Sequence, residues 1–208
     1  MNLLPPGEAI LEIGSGSGHC IVELARAAGG TGRIFAIDIS DRMLQAAEAR
    51  AAAAGFRDRV ELRCADAFSL PYPSSSFDGL FMSFTLELFS PAELEPFLRP
   101  CKRVLKTGGR MCVVAMSHQG NQGVMMILYA WAHARFPNRV DSAPLHAERL
   151  VRSAGLCITE VAVLPSWGLL EEIVQCTRLS TWPCSRTWTH GHEHGAAAVP
   201  TLCLALRL

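Results

Sequence analysis

The sequence predicts an α/β fold, a mostly parallel sheet with helices on both faces. Three observations lead there. Short apolar runs suited to strands alternate with segments of helical spacing over the first two-thirds of the chain. The glycine-rich turn GSGSG at 14–18 follows the first apolar run. Acids then recur at the ends of the first three runs, as Glu12, Asp38 and Asp66.

The elements follow in order. AILEI (9–13) reads as the first strand, and His19–Ala28 as a helix stopped by Gly29 and Gly30. RIFAID (33–38) is the second strand. Ser40 caps the helix that follows, with Asp41 in its first turn and Gly55 as its stop. RVELRCAD (59–66) alternates apolar and polar residues as a third strand, and FDGLFMSF (77–84) is a fourth. Pro91–Leu105 is helical, with proline at its start and Gly108–Gly109 just past its end. RMCVVAM (110–116) is a fifth strand.

Beyond Met116 the pattern loosens. Asn121–Ala134 and Leu145–Ala154 have helical character, and CITEVAVL (157–164) is a sixth strand. The seventh lies in GLLEEIVQC (168–176) or in LCLALRL (202–208), and periodicity leaves that choice open. Residues 177–195 hold two tryptophans, a histidine cluster and one acid, Glu193, unlike anything before them.

Bulk properties narrow the function. At 208 residues the chain is long enough for one domain with a sizeable core. Basic and acidic side chains balance at 19 each, so no electrostatic case exists for a nucleic-acid partner. The first residues lack the basic start and long apolar run of a signal peptide, and 123–134 is too short to span a bilayer; the expected location is cytoplasmic. The eight cysteines are scattered without a CxxC pair and read as buried free thiols.

A glycine turn between strand and helix commonly faces a nucleotide phosphate. Here the spacing is GxGxG, His19 stands where a dinucleotide fingerprint has its third glycine, and Glu12 lies two residues before the first. An acid repels a pyrophosphate and suits a cation, such as a sulfonium or an amino group. Asp38, at the end of the second strand, can accept hydrogen bonds from both ribose hydroxyls, in a dinucleotide or an adenosyl ligand alike. Asp66 and the Ala67 backbone are placed to reach an adenine edge. In an open α/β sheet all three acids line one crevice at the carboxyl ends of the strands.

LEIGSGSGH, AIDIS, CADAFSLPYPSSSFD and RVLKTGGRM, in that order over residues 9–116, resemble the successive motifs of class I S-adenosylmethionine-dependent methyltransferases. LPYPSSSFD and CKRVLKTGGR are most similar to the ubiquinone/menaquinone C-methyltransferase type. The resemblance implies a Rossmann-like fold on a seven-stranded sheet and S-adenosyl-L-methionine as cofactor. It implies that Glu12 and the loop Gly14, Ser15, Gly16 and Gly18 hold the amino-acid end of that cofactor. Asp38 would bind its ribose, Ile39 and Met43 would pack on its adenine, and Asp66 and Ala67 would read the adenine amino group. Ser83 would sit near the sulfonium.

The implied acceptor is a small molecule, quinol-like or lipid-like. Residues 1–176 would form the methyltransferase domain, with 9–116 on the cofactor side and 117–176 on the substrate side; 177–208 would be an atypical tail, with a last strand as its one structural contribution. Relatives carry helices before the first strand, and this sequence starts too close to the glycine turn for them, which predicts either a shortened form or a more open pocket.

Methyl transfer from a charged sulfur needs alignment and exclusion of water more than a catalytic group. No catalytic residue is assigned; Glu87, His118 and His146 are the candidate bases. His190, His192 and His194 alternate as HGHEH, yet nothing nearby completes a closed shell, so no metal site is expected. Two rival readings stand beside methyl transfer. One is an NAD-type oxidoreductase domain, and the other is a non-catalytic binding protein on a degenerate methyltransferase fold.

Overall fold

The computed structural model describes residues 7–116, 147–166 and 169–180. The first half of the chain gives β1 (Ala9–Ile13), α1 (His19–Ala27), β2 (Arg33–Asp38), α2 (Asp41–Ala53), β3 (Val60–Cys64) and β4 (Phe77–Ser83). Then come α3 (Pro91–Val104), β5 (Leu105–Met116), α4 (Ala147–Ser153), β6 (Cys157–Ser166) and β7 (Leu169–Thr177). The strands form one seven-stranded sheet in the order β3-β2-β1-β4-β5-β7-β6. Neighbours are parallel except around β7, which runs antiparallel to both β5 and β6.

The side-chain alternation of the strands explains the layers. Leu11, Ile13, Leu80, Met82, Met111 and Val113 share a core with Leu94, Phe97 and Leu98 of α3 and Val151 of α4. Ile10, Ile34, Ala36, Phe81 and Val114 face the other way, onto Ile21, Leu24 and Ala25 of α1 and Ala47 and Ala51 of α2. Glu12 belongs by alternation to this second face, and so is enclosed by apolar packing.

Strand order reverses between β1 and β4, which lie side by side although α1, β2, α2 and β3 separate them in the chain. Ile13 is level with Ile37 of β2 and with Met82 of β4. Gly14, Asp38 and Ser83 therefore stand one residue beyond a common line. That is the crevice where ligands of open α/β sheets bind.

Capping follows local chemistry. Ser40 accepts at Oγ from the Met43 N–H at 3.4 Å, as expected of the residue before α2. Ser90 and Glu93 form a capping box ahead of Pro91 at the start of α3.

Several expectations are corrected. α3 ends at Val104 and β5 begins at once with Leu105, five residues earlier than the apolar run suggested. The pairing of β4 with β5 shifts register between Phe77 and Gly79, and this irregularity accommodates Gly108 at φ +79°. β4 stops at Ser83, because Phe84 turns to φ +51°. Of the two segments left open, 168–176 supplies the seventh described strand, at Leu169–Thr177, and 202–208 lies outside the described residues. Arg110↔Thr177 through Met116↔Glu171 give it a full ladder on β5. Just past β7, Arg178 exchanges main-chain hydrogen bonds with Gly108 and Gly109. The helix expected at 121–134, His118, His133, His146 and the HGHEH cluster lie outside the described residues.

Cys20, Cys64, Cys101 and Cys176 are free; Cys101 and Cys176 are buried, but Cys20 is half-buried and Cys64 exposed. Cys157 is disulfide-bonded, against the free-thiol expectation. Bridging depends on proximity in space, which scattered positions along a chain do not reveal.

Candidate functional site

The glycine turn is built from inside. The N–H groups of Gly14 and Ser15 donate to the Ile37 carbonyl at 2.9 and 3.1 Å. The Gly16 N–H donates to Asp38 Oδ2 at 2.8 Å, and the Gly18 N–H donates to the Ser15 carbonyl at 3.0 Å. Four donors of the turn are thereby consumed within the protein. A phosphate-binding loop works the other way, by directing its N–H groups at the anion.

The glycines differ in purpose. A Cβ on Gly18 would stand 2.7 Å from the Ala47 Cα, so this glycine and the alanine-rich face of α2 allow turn and helix to meet. A Cβ on Gly14 would meet the Thr85 hydroxyl at 2.7 Å. Gly16, at φ +51°, faces open space. Of these three, only Gly16 leaves room for a ligand against its backbone.

Glu12 is 2% exposed. Burial, reinforced by the nearby Asp38 carboxylate, pushes its carboxyl up to about 8. Its Oε2 is buried and lacks a hydrogen-bond partner, as does the Ser15 hydroxyl. Buried polar atoms seldom go unpaired, and such atoms mark places where a ligand supplies the missing partner. A cation is the partner that best returns Glu12 to its charged form.

The other expected residues surround this centre. Asp38 is half-buried, with Oδ1 accepting from the Ser40 N–H at 2.9 Å in addition to the Gly16 bond. Ile39 is 78% and Met43 43% exposed, two apolar side chains left open beside the acid. The Ala65 N–H donates to the Asp38 carbonyl, which draws the end of β3 alongside. Asp66 is exposed and accepts at Oδ1 from the Phe68 N–H at 2.9 Å, starting the turn Ala67–Ser69. Ser83 is half-buried at the end of β4. The structure thus ties Glu12, the turn and Asp38 directly together, while Asp66, Ala67 and Ser83 approach from flanking strands.

The family comparison agrees with this geometry. Residues 10–109 match the model of a methyltransferase domain family. That match takes in just under half of the chain. A ubiquinone/menaquinone biosynthesis C-methyltransferase UbiE from Teredinibacter turnerae is 34% identical over 116 residues. That match spans 56% of this chain and 46% of the relative, so less than half of the relative's length is represented. Among solved structures, a SAM-dependent methyltransferase from Methanosarcina mazei superposes with TM-score 0.67 at 23% identity, over 86% of this chain and 95% of that one. The [4+2]-cyclase SpnF does so with TM-score 0.68 at 22% identity, over 86% of this chain and 78% of that one. The same architecture therefore accompanies more than one chemistry, and the site must carry the functional argument.

Two further residues beside the glycine turn gain importance from the structure. Thr85, which sequence reasoning passed over, is buried, with its hydroxyl 3.0 Å from the Ile13 carbonyl and 3.2 Å from that of Ser83. It clasps β4 to the start of the glycine turn. A threonine just after a strand gives no signal of this. Glu87 is 2% exposed in the short turn Leu86–Leu88, not a solvated surface acid. Among the described residues, no group of three or more His, Cys, Asp or Glu side chains could hold a metal ion.

Proposed function

We propose that this chain binds S-adenosyl-L-methionine across the carboxyl ends of β1, β2 and β3 and transfers its methyl group to a small-molecule acceptor. One observation carries the reading: the glycine turn spends four of its N–H groups internally, while the buried Glu12 presents a carboxyl oxygen with no partner. That pairing suits a cation and opposes a pyrophosphate, which sets the reading above an NAD-type oxidoreductase.

The residues fit the group. Glu12 and Ser15 supply unpaired polar atoms for its amino-acid end, and the open face of Gly16 gives the backbone clearance. Asp38 retains acceptor capacity for ribose hydroxyls beyond its two internal bonds. Ile39 and Met43 offer apolar cover for the adenine, with Asp66 and Ala67 at its edge and Ser83 on the sulfonium side. When bound, the cofactor supplies a methyl group already activated by a positively charged sulfur. The chain's own task is to orient the acceptor in line with that methyl group and keep water out.

The C-methyltransferase relatives favour a quinol-like acceptor within the small-molecule class. Residues 1–176 as the domain, 177–208 as a tail, and a cytoplasmic site of action complete the reading. No helix among the described residues is long and apolar enough to cross a membrane.

Isothermal titration with S-adenosyl-L-methionine, S-adenosylhomocysteine and NAD tests the proposal. Binding of both adenosyl compounds, and not of NAD, is the expected result. NAD binding without them overturns it. Mass spectrometry of candidate quinols incubated with S-adenosyl-L-methionine then tests the transfer itself.

A further inference from the structure

Glu87 is a buried acid of the crevice that none of the proposed cofactor contacts uses. It follows the carboxyl end of β4, and its Oε1 accepts from the Met116 N–H at 2.6 Å, at the carboxyl end of β5. Its Oε2 is buried and has no hydrogen-bond partner. Burial raises its carboxyl above the ordinary range, against the opposing pull of the Met116 N–H bond.

Three glutamates are buried among the described residues. Glu172 uses Oε2 to accept from the Ala147 N–H at 3.1 Å, at the start of α4. Glu12 and Glu87 each keep one oxygen unpaired, and they stand at the carboxyl ends of the adjacent strands β1 and β4. Thr85 joins the two ends through the Ile13 carbonyl. Glu12 is accounted for by the cationic cofactor, whereas Glu87 has no such explanation. The residues near it in sequence are unusual in another way: Phe84 is 41% and Leu88 59% exposed, both large and apolar. A fixed carboxyl oxygen in a segment that also carries exposed apolar side chains matches a ligand with an apolar body and a hydrogen-bond donor.

We propose that Glu87 Oε2 receives a hydrogen bond from a hydroxyl group of the methyl acceptor, and so selects hydroxylated acceptors over otherwise similar ones that lack the donor. This rests on the methyltransferase reading above. The Met116 bond holds the carboxyl in place, and the free oxygen does the selecting. A site built to receive a hydroxyl discriminates strongly against its methyl ether, because the buried acceptor is then left unpaired.

Hydroquinone and 1,4-dimethoxybenzene make a matched pair of probes, with the same ring and with or without donors. On protein saturated with S-adenosylhomocysteine, hydroquinone should bind at least about tenfold more tightly, the scale of a hydrogen bond to a charged group. Glu87→Gln keeps an amide oxygen for the Met116 N–H and puts an NH₂ donor where Oε2 was, so the preference should vanish while S-adenosylhomocysteine affinity stays. In the wild-type protein, hydroquinone should also shift the Glu87 carboxyl carbon resonance and dimethoxybenzene should not, a readout that needs no variant. Equal affinities, no binding of either probe, an unmoved resonance, or a preference that survives in a folded Glu87→Gln protein each overturns the proposal. Failure of S-adenosylhomocysteine to bind is a separate result; it removes the methyltransferase reading and this inference with it.

Discussion

The Gly16 main-chain N–H donates to the Asp38 carboxylate at 2.8 Å, across 22 positions of sequence. The other Asp38 oxygen accepts from the Ser40 N–H at the entry to α2. One side chain thus shapes the glycine turn, starts a helix and, in the proposed reading, meets the ribose. Asp38→Ala should cost about 1–3 kcal/mol of fold stability through two unpaired N–H groups, and more than about 1 kcal/mol of S-adenosylhomocysteine affinity. Denaturant titration and calorimetry on the folded fraction measure the two separately. Unchanged stability would discount the turn bond, and unchanged affinity would discount the ribose contact.

Glu12 makes stability and binding depend on pH in opposite directions. Its folded-state value of about 8 lies above the ordinary 4.5, so the folded protein holds the extra proton. Its contribution to stability is therefore complete below about pH 4.5 and disappears as pH rises through about 8. An ammonium or sulfonium partner prefers the ionised form, so S-adenosyl-L-methionine affinity should rise over that same window, with proton release on binding. Glu12→Gln should flatten both profiles. Calorimetry in buffers of different ionisation enthalpy detects the released proton, and its absence would detach Glu12 from the ligand.

Gly16→Ala and Gly18→Ala should separate ligand clearance from packing. At Gly16 the Cβ meets nothing, so the fold should lose only about 1–2 kcal/mol for the left-handed backbone while adenosyl affinity falls further. At Gly18 the Cβ meets the Ala47 backbone, and thermal stability should drop more steeply. Equal stability losses would contradict this division.

Cys64 offers a footprint of the site. It is exposed at the end of β3, level with Asp38, and its thiol reaches the Ile39 carbonyl at 3.5 Å. Burial pushes Cys20 up to about 12 and holds Cys101 and Cys176 higher than an ordinary thiol. Iodoacetamide should therefore modify Cys64 before those three, and S-adenosylhomocysteine should slow it. Peptide mapping reads both effects; a rate indifferent to the ligand would place the ligand elsewhere.

Strand β2 was legible to the residue, because RIFAID is bounded by a glycine turn and a capped helix. The start of β5 was not. LKTGG looks like a helix exit, and only the shifted pairing on Phe77 makes it strand. β7 could not be separated from a better-alternating segment, because alternation does not say which run finds an open strand edge. Glu87 was visible as a candidate base, but its burial and its bond to Met116 were invisible, since they bring together residues 29 apart.

By itself, the sequence determined the α/β alternation, the positions of the turn and the acids, and the preference for a cation over a pyrophosphate. These rest on local periodicity, turn chemistry and charge, which act over a few residues. Tertiary structure alone decided that the glycine turn consumes its own donors, that Glu12 and Glu87 are buried with one oxygen each unpaired, and that Thr85 clasps one strand end to the next. Burial and hydrogen-bond pairing depend on which distant segments share a sheet, and strand order is settled only when the whole sheet closes around its two cores.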